Sequence, residues 1–516
     1  MSARRVTALV AALLLLGAAV AASAFAGTHT AAGAGGSGPH RRARSSRTPT
    51  VTVTAALQRL LRGGALTEAS YRQYTGAYVA ATRSLSRLSG TRALELGAVL
   101  ANVRTLAGAG ELTPSRLPVV FLTLERNRQW WTTEPLLSSG ERVSFPDSRL
   151  VWEYYAGQGI EIQWLATFGE GNGYYLSGNE NGNLRALLAE AIPLATQRAG
   201  GIAWEYMFEF DGGRPPWISG LSQGTALQLL ARAYSRFHEA SYLTAAQQAL
   251  AVFEHPPPQG VRVATPAGAM YAEYSFAPSD HILNGFIQAL VGLYDYAALT
   301  HEPAGLALFE AGDAEARAEV PHYDTGAWSL YDQFGESDLN YHELLTEFLA
   351  HLCERTRRGL PFTPPAPPAS PPPTTTTPTP PPTGEAGGSA PGAAAARAAQ
   401  AQAQAPIPGD AIYCTTAQHF ETDLTTPPRV SLLSSSLPGG ARAGVQISLS
   451  KVSLVTLTVR HGTRVVWTNT ATLERGRPRL LWVTPSGGGT FTATLAARDL
   501  AGNFATTSGT VTVRHR

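Results

Sequence analysis

Cysteine, net charge and long apolar runs are all scarce in this chain. Only two cysteines occur among 516 residues, Cys353 and Cys414. Two such distant thiols cannot build a metal cluster, but in an oxidising compartment they could form one bridge. The formal net charge is +2, which excludes the strong electrostatic footprint of a nucleic-acid binder. A single long apolar run, Val6 to Ala22, follows Arg4 and Arg5 and leads to Ala24-Phe25-Ala26. A basic start, a short apolar stretch and small residues at a cleavage point predict a secretory signal peptide over 1–26 rather than a membrane anchor. The predicted location is therefore secreted or cell-surface. Residues 27–50, small residues with Arg41, Arg42, Arg44 and Arg47, predict a disordered basic segment.

The length exceeds what one core holds, so two or three domains are expected. Dense proline, threonine and alanine over 361–408 mark a linker. Before it, apolar residues recur at helical spacing. Leu184, Leu187, Leu188, Ala191, Ile192 and Ala195 form one stripe, and Ala226, Leu229, Leu230, Ala233 and Phe237 a second. Similar stripes cover Ala245–Phe253 and Phe286–Leu293, with weaker ones over 71–88, 91–106 and 339–353. Residues 51–360 thus read as about ten helices, and the predicted class is mainly α: an α/α toroid, or incomplete barrel, around a central cleft. After the linker, residues 409–516 carry β-rich segments such as Leu454–Arg460 and Gly489–Ala496, spaced by glycine turns. They resemble the Ig-like or fibronectin-like β-sandwich modules of exported enzymes, which implies a spacer or a contact to cell wall or surface glycan.

Three stretches of the helical part are denser in polar groups than a structural loop requires: Met270–Phe286, Pro321–Asp332 and Asn340–His342. Upstream lie Asn179-Glu180-Asn181-Gly182-Asn183 and Trp217-Ile-Ser-Gly-Leu-Ser-Gln-Gly224. Tryptophan and tyrosine interleaved with Asn, Asp and Gly provide flat apolar faces beside hydrogen-bonding edges, as a sugar-binding cleft needs.

These residues resemble the C-terminal catalytic domain of the glucuronyl C5-epimerases. The family's Trp-x-Ser-Gly-x-x-Gln-Gly segment is matched by Trp217–Gly224. Its Glu-Tyr pair, helix start and Gly-Leu-Tyr-Asp are matched by Glu273, Tyr274, Leu283–Phe286 and Gly292–Asp295. Tyr323–Gly326, Tyr331-Asp332 and Tyr341-His342 follow in order. The family has a basic residue after the second Tyr-Asp, where this chain has Gln333 and Phe334, and the loop from Tyr331 to Tyr341 is shorter here. The resemblance implies conversion of D-glucuronate to L-iduronate within an acidic polysaccharide, with Tyr274, Tyr331, Tyr341 and Glu273 as catalytic residues.

That chemistry removes a hydrogen next to a carboxylate and returns it from the opposite face, so two groups are needed. A phenol titrates near pKa ~10, so one tyrosine is expected to have its pKa lowered to act as base. Donors or positive charge must meet the uronate carboxylate; Arg185, Gln223, His281, Asn284 and His342 are the local candidates, with Asn181, Trp217 and Tyr323 as further substrate-binding residues. The route needs no redox cofactor and no catalytic metal, and a structural calcium ion is left open. Two rivals remain: a uronate lyase, in which the same carbanion expels the group at O4, and a non-catalytic glycan-binding or wall-associated protein.

Overall fold

The computed structural model describes residues 51–362 and 411–515. The signal-peptide and basic-segment calls over 1–50, and the linker beyond residue 362, lie outside the described residues.

The first part is mainly helical. It opens with α1 (Val53–Arg62), α2 (Glu68–Leu85), α3 (Gly90–Ala109) and α4 (Leu117–Thr133), then a three-stranded antiparallel sheet of β1 (Arg142–Val143), β2 (Trp152–Tyr155) and β3 (Gly159–Ile162). Helices α5 (Trp164–Ser177) and α6 (Asn181–Ala191) lead to the hairpin β4 (Thr196–Arg198) and β5 (Gly201–Ala203). Next come α7 (Gly220–Phe237), α8 (Ala240–Ala249), the hairpin β6 (Arg262–Ala264) and β7 (Ala269–Tyr271), α9 (Leu283–Thr300), α10 (Pro303–Glu319) and α11 (Leu339–Thr356).

The stripes anticipated for α6–α9 face one core that includes Leu187, Leu229, Leu230, Phe253, Phe286 and Leu290. Helices α7 and α9 pack with their backbones nearly touching. A Cβ on Gly292 would lie 2.1 Å from the Gly224 carbonyl oxygen, and one on Gly224 would lie 2.6 Å from the Ala289 Cα. Only glycine permits that approach, and it brings the N-terminal ends of both helices to the same place. Ser219 caps α7 by accepting the Ser222 amide, and Asp338 caps α11 by accepting the Tyr341 amide. Helix α9 has no side-chain cap. That helix starts after Ile282, and Ser279 offers its carbonyl to Gln333.

Residues 411–423, grouped with the sheet module on sequence grounds, form α12 (Ala411–Asp423) and pack on the helical part. Tyr413 and Phe420 are fully buried in its core, and a disulfide joins Cys353 of α11 to Cys414 of α12. The apolar face of this short helix overrides the composition shift at the linker.

The separate C-terminal region comprises β8 (Val430–Leu432), β9 (Ser436–Leu437), β10 (Arg442–Leu449), β11 (Ser453–His461), β12 (Arg464–Leu473), β13 (Arg479–Val483), β14 (Gly489–Asp499) and β15 (Phe504–Val513). They make a three-stranded sheet, β13-β10-β8, and a five-stranded sheet, β12-β11-β14-β15-β9, in which β9 runs parallel to β15. Alternate residues of β11 and β14 are buried and meet Val445, Ile447 and Trp482 of the smaller sheet in a second core. Among the described residues no helix is long and apolar enough to cross a membrane.

Candidate active site

A cleft of about 720 Å³ opens in the helical part. Four helices begin on it. Their first turns contribute Leu165 of α5, Leu221 and Ser222 of α7, Asn284 of α9 and Tyr341 of α11 to its lining. Helix N-termini carry about half a positive charge each, which gives the cleft a positive dipole end at four points although no Lys, Arg or His lines it.

The segment after β7 places Glu273 and Tyr274. Its backbone pairs with the approach to α7: the Gly220 amide donates to the Glu273 carbonyl at 3.0 Å, and the Ser275 amide to that of Ile218 at 3.0 Å. Ser219, already the cap of α7, also donates its hydroxyl to Glu273 Oε1 at 3.0 Å. The other oxygen, Oε2, is buried and has no protein partner, as is Asn284 Oδ1. Both residues line the cleft, so it holds two buried acceptors without a protein partner. A Cβ on Gly285 would lie 1.8 Å from Glu273 Oε2, so glycine in the first turn of α9 makes the room for this carboxylate. Burial, partly offset by the Ser219 bond, raises the Glu273 carboxyl to about 7.

Tyr274, Tyr331 and Tyr341 meet in this cleft. The rings of Tyr331 and Tyr341 lie 4.6 Å apart, and the Tyr331 phenol interacts directly with the other two. The expectation that one phenol has a lowered pKa is overturned. Burial raises all three, Tyr274 and Tyr331 strongly and Tyr341 to about 12. With no cationic side chain in the lining and a carboxylate nearby, burial outweighs the hydrogen bonds among the phenols that would favour a phenolate. Next to Tyr274, Tyr206 stacks on Trp217, ring centroids 4.2 Å apart at 14°, with Phe208 and Phe210 beside them.

Of the substrate-binding candidates, Trp217 and Asn284 line the cleft; the others do not. Arg185 stands at the surface, paired with Glu239 and stacked on Phe237. Asn181 accepts from Arg236. Gln223 is consumed by the Trp204 backbone, donating at 2.9 Å and accepting at 3.2 Å. His342 is fully buried, stacked on Trp328 and bonded to Ser329 and the Phe420 carbonyl. Tyr323 donates to the His281 carbonyl at 2.6 Å, and the His281 amide donates to Gln333. These residues hold the loops around the cleft. The residues that sequence reasoning did not select are Tyr155, Gln163, Tyr206, Ser219 and Ser222. Gln163 donates to the Tyr155 hydroxyl at 2.9 Å and accepts from Tyr206 at 3.1 Å, and Tyr206 shares a 2.7 Å bond with Ser222. Tyr155 and Tyr206 stand out in the sequence only as members of an aromatic-rich set. Among the described residues no group of three or more His, Cys, Asp or Glu is arranged to hold a metal ion.

The family model described as D-glucuronyl C5-epimerase C-terminus matches residues 198–360. Over that segment the chain is similar to this family. A D-glucuronyl C5-epimerase of Caenorhabditis elegans is 32% identical over 131 residues, 23% of this chain and 21% of the relative. An uncharacterized protein of Methanocaldococcus jannaschii is 30% identical over 151 residues, 28% of this chain and 49% of the relative. The chain thus spans about a fifth and about half of the length of these relatives. The matched segment carries Glu273 and four of the five tyrosines that line the cleft, whereas Tyr155 and Gln163 come from residues before it.

Proposed function

We propose that the cleft epimerises C5 of D-glucuronate to give L-iduronate within an acidic polysaccharide, by proton removal on one face of the sugar and return on the other. The observation that carries this reading is the juxtaposition of one buried carboxylate, raised to about 7, with phenols that stay protonated. A base near neutrality and a neutral acid are what the two half-reactions need. Glu273 takes the C5 proton and the electron pair passes into an enolate-like dianion. The Tyr331–Tyr341 pair delivers a proton to the opposite face, and the phenol cluster with Tyr274 returns the proton of Glu273 to the donor. Helix N-termini stand in for the missing cation at the substrate carboxylate, each contributing about 0.3–1 kcal/mol, and the Tyr206–Trp217 stack offers a flat face to a sugar ring. The step is proton transfer alone and calls for no cofactor.

We further propose that the helices ring the cleft as an incomplete α/α toroid and that the C-terminal region is an Ig-like sandwich. Export of the chain is part of the same reading. The leader-like first 26 residues support it, as does the Cys353–Cys414 disulfide, because such bonds persist in oxidising compartments.

The test is incubation with glucuronate polymers in deuterated water. Deuterium at C5 without chain cleavage supports epimerisation, unsaturated ends absorbing in the ultraviolet indicate a lyase, and binding without either leaves a glycan-binding protein.

A further inference from the structure

The hairpin that carries Tyr331 runs from Trp328 to Ser337. Leu330 bridges Glu336, the Tyr331 amide donates to the Gly335 carbonyl at 2.9 Å, and the Ser337 amide to that of Ser329 at 3.0 Å. Asp332 Oδ1 closes the tip by accepting the Phe334 and Gly335 amides at 2.8 and 2.9 Å. Phe334 at the tip is 76% exposed. Gln333 ties this tip to Ser279 and His281, and the Leu283 amide donates to the Tyr331 carbonyl; a short excursion with a solvated end still depends on its base to hold a phenol in one place.

Its base is gripped from the sheet region. Lys451 is the only lysine of the sequence, and its side chain is 2% exposed. Its Nζ donates to the carbonyls of Asp423 and Thr426 at 2.8 and 2.7 Å, pairs with Asp499 at 2.8 Å, and lies 5.0 Å from the centroid of the Trp328 ring. The next residue, Val452, donates its amide to Glu336 Oε2 at 2.9 Å, while Arg475 stands 3.3 Å from Oε1. The Glu336 side chain is 2% exposed. Two consecutive residues just before β11 therefore touch the two ends of the hairpin, Trp328 and Glu336. Trp328 in turn stacks on His342, the neighbour of Tyr341. One continuous contact path runs from the sheet region to both tyrosines of the proposed acid pair.

We infer that the C-terminal sheet region is part of the active-site scaffold, with Glu336 as a positioning residue that fixes the Tyr331 hairpin against Tyr341. Its catalytic consequence rests on the epimerase reading; the mechanical link does not. The experiment uses the full chain with Glu336→Ala, Glu336→Gln and Arg475→Ala, and two readouts. The first is amide hydrogen exchange over residues 329–337. The second is kcat against KM for C5 deuterium uptake.

In Glu336→Ala, amide exchange over 329–337 accelerates about tenfold, the loss expected for a hydrogen bond to a charged group. In that variant kcat falls about tenfold while KM stays within about twofold. Glu336→Gln keeps an oxygen for the Val452 amide and restores most of both. Arg475→Ala, at a half-exposed position outside the helical core, cannot unfold that core and gives a smaller acceleration, which keeps the test decisive should Glu336→Ala fail to fold. Exchange over 329–337 that stays within about twofold of the parent in these variants overturns the clamp and leaves the sheet region a spacer or attachment module. Faster amide exchange with unchanged kcat overturns the positioning role. A parent protein that labels no uronate polymer refutes the epimerase reading instead, and the amide readout still decides the clamp.

Discussion

Replacing Glu273 by glutamine separates stability from function at the centre of the cleft. Below its ordinary pKa of 4.5 this carboxyl is neutral in both folded and unfolded chains and costs nothing. As pH rises, the unfolded chain ionises first while the buried group keeps its proton to about 7, so the folded state loses ground across that window and the loss levels off above it. The rise from 4.5 to about 7 corresponds to about 3 kcal/mol at full development. Glutamine has the same shape, still accepts from Ser219, and does not titrate. Any fixed cost or gain from the amide is independent of pH, and the other buried acids, such as Glu153 and Glu336, contribute to parent and variant alike. The difference between the two proteins therefore isolates Glu273. Denaturant unfolding followed by helical circular dichroism from about pH 5 to about pH 8 should show the variant gaining about 3 kcal/mol relative to the parent, with most of the change complete by about pH 7. The same substitution should abolish C5 deuterium uptake, which in the parent rises with pH through about 7. A stability difference that stays flat over this range would refute the argument, because it would mean that the carboxylate is already ionised in the folded cleft.

Further outcomes follow from neighbouring contacts. Gly285→Ala puts a methyl where Glu273 Oε2 lies, 1.8 Å from the Cβ position; displacing the base by about an ångström should cost about 100-fold in exchange rate, and a variant within about fivefold of the parent would show the carboxylate is not the base. Tyr341→Phe removes the hydroxyl and keeps the ring packed on Tyr331. Single-turnover labelling should slow by 10²- to 10⁴-fold, the usual worth of a general acid, roughly, while equilibrium binding of the polymer barely changes. Tyr274→Phe should likewise block exchange with binding retained. Reducing the Cys353–Cys414 bond opens a loop of 61 residues, for which chain entropy predicts a loss of about 4 kcal/mol; thermal melting with and without reductant measures it.

The helices legible in the sequence were those whose apolar stripe has one face and one period. α6, α7, α8 and α9 fall where their stripes place them, and the strands of the C-terminal region follow the alternation of residues such as Val455, Leu457 and Val459. Helix α12 was illegible because its only strong cues, Tyr413 and Phe420, follow a long low-complexity stretch and point into a core built by residues far upstream. The small sheets that interrupt the helices were missed for a related reason: β2 and β3 are buried along their whole length, so no alternation betrays them. With β2 and the end of β3 went Tyr155 and the adjoining Gln163, which both line the cleft.

The site itself divides along the same line. Glu273, Tyr274, Tyr331 and Tyr341 were named by their match to the family's motifs, in polar stretches that packing alone does not explain, and all four line the cleft. The charged and basic candidates failed because charge in a sequence says nothing of where it points. Arg185 turns to Glu239 at the surface, and His342 is spent on Ser329 and the Phe420 carbonyl. In the reading proposed above, the backbone replaces them, in the first turns of α5, α7, α9 and α11, and a helix N-terminus has no residue type that announces its electrostatics. An anion site built this way tolerates the loss of a basic side chain. Gln333, which stands where the family has a basic residue, braces the 279–281 segment beside the cleft instead. If the helix termini carry the anion, Gln333→Lys should leave uptake of deuterium at C5 close to the parent rate. A large gain would mean that the missing cation, and not the helix ends, limits the reaction.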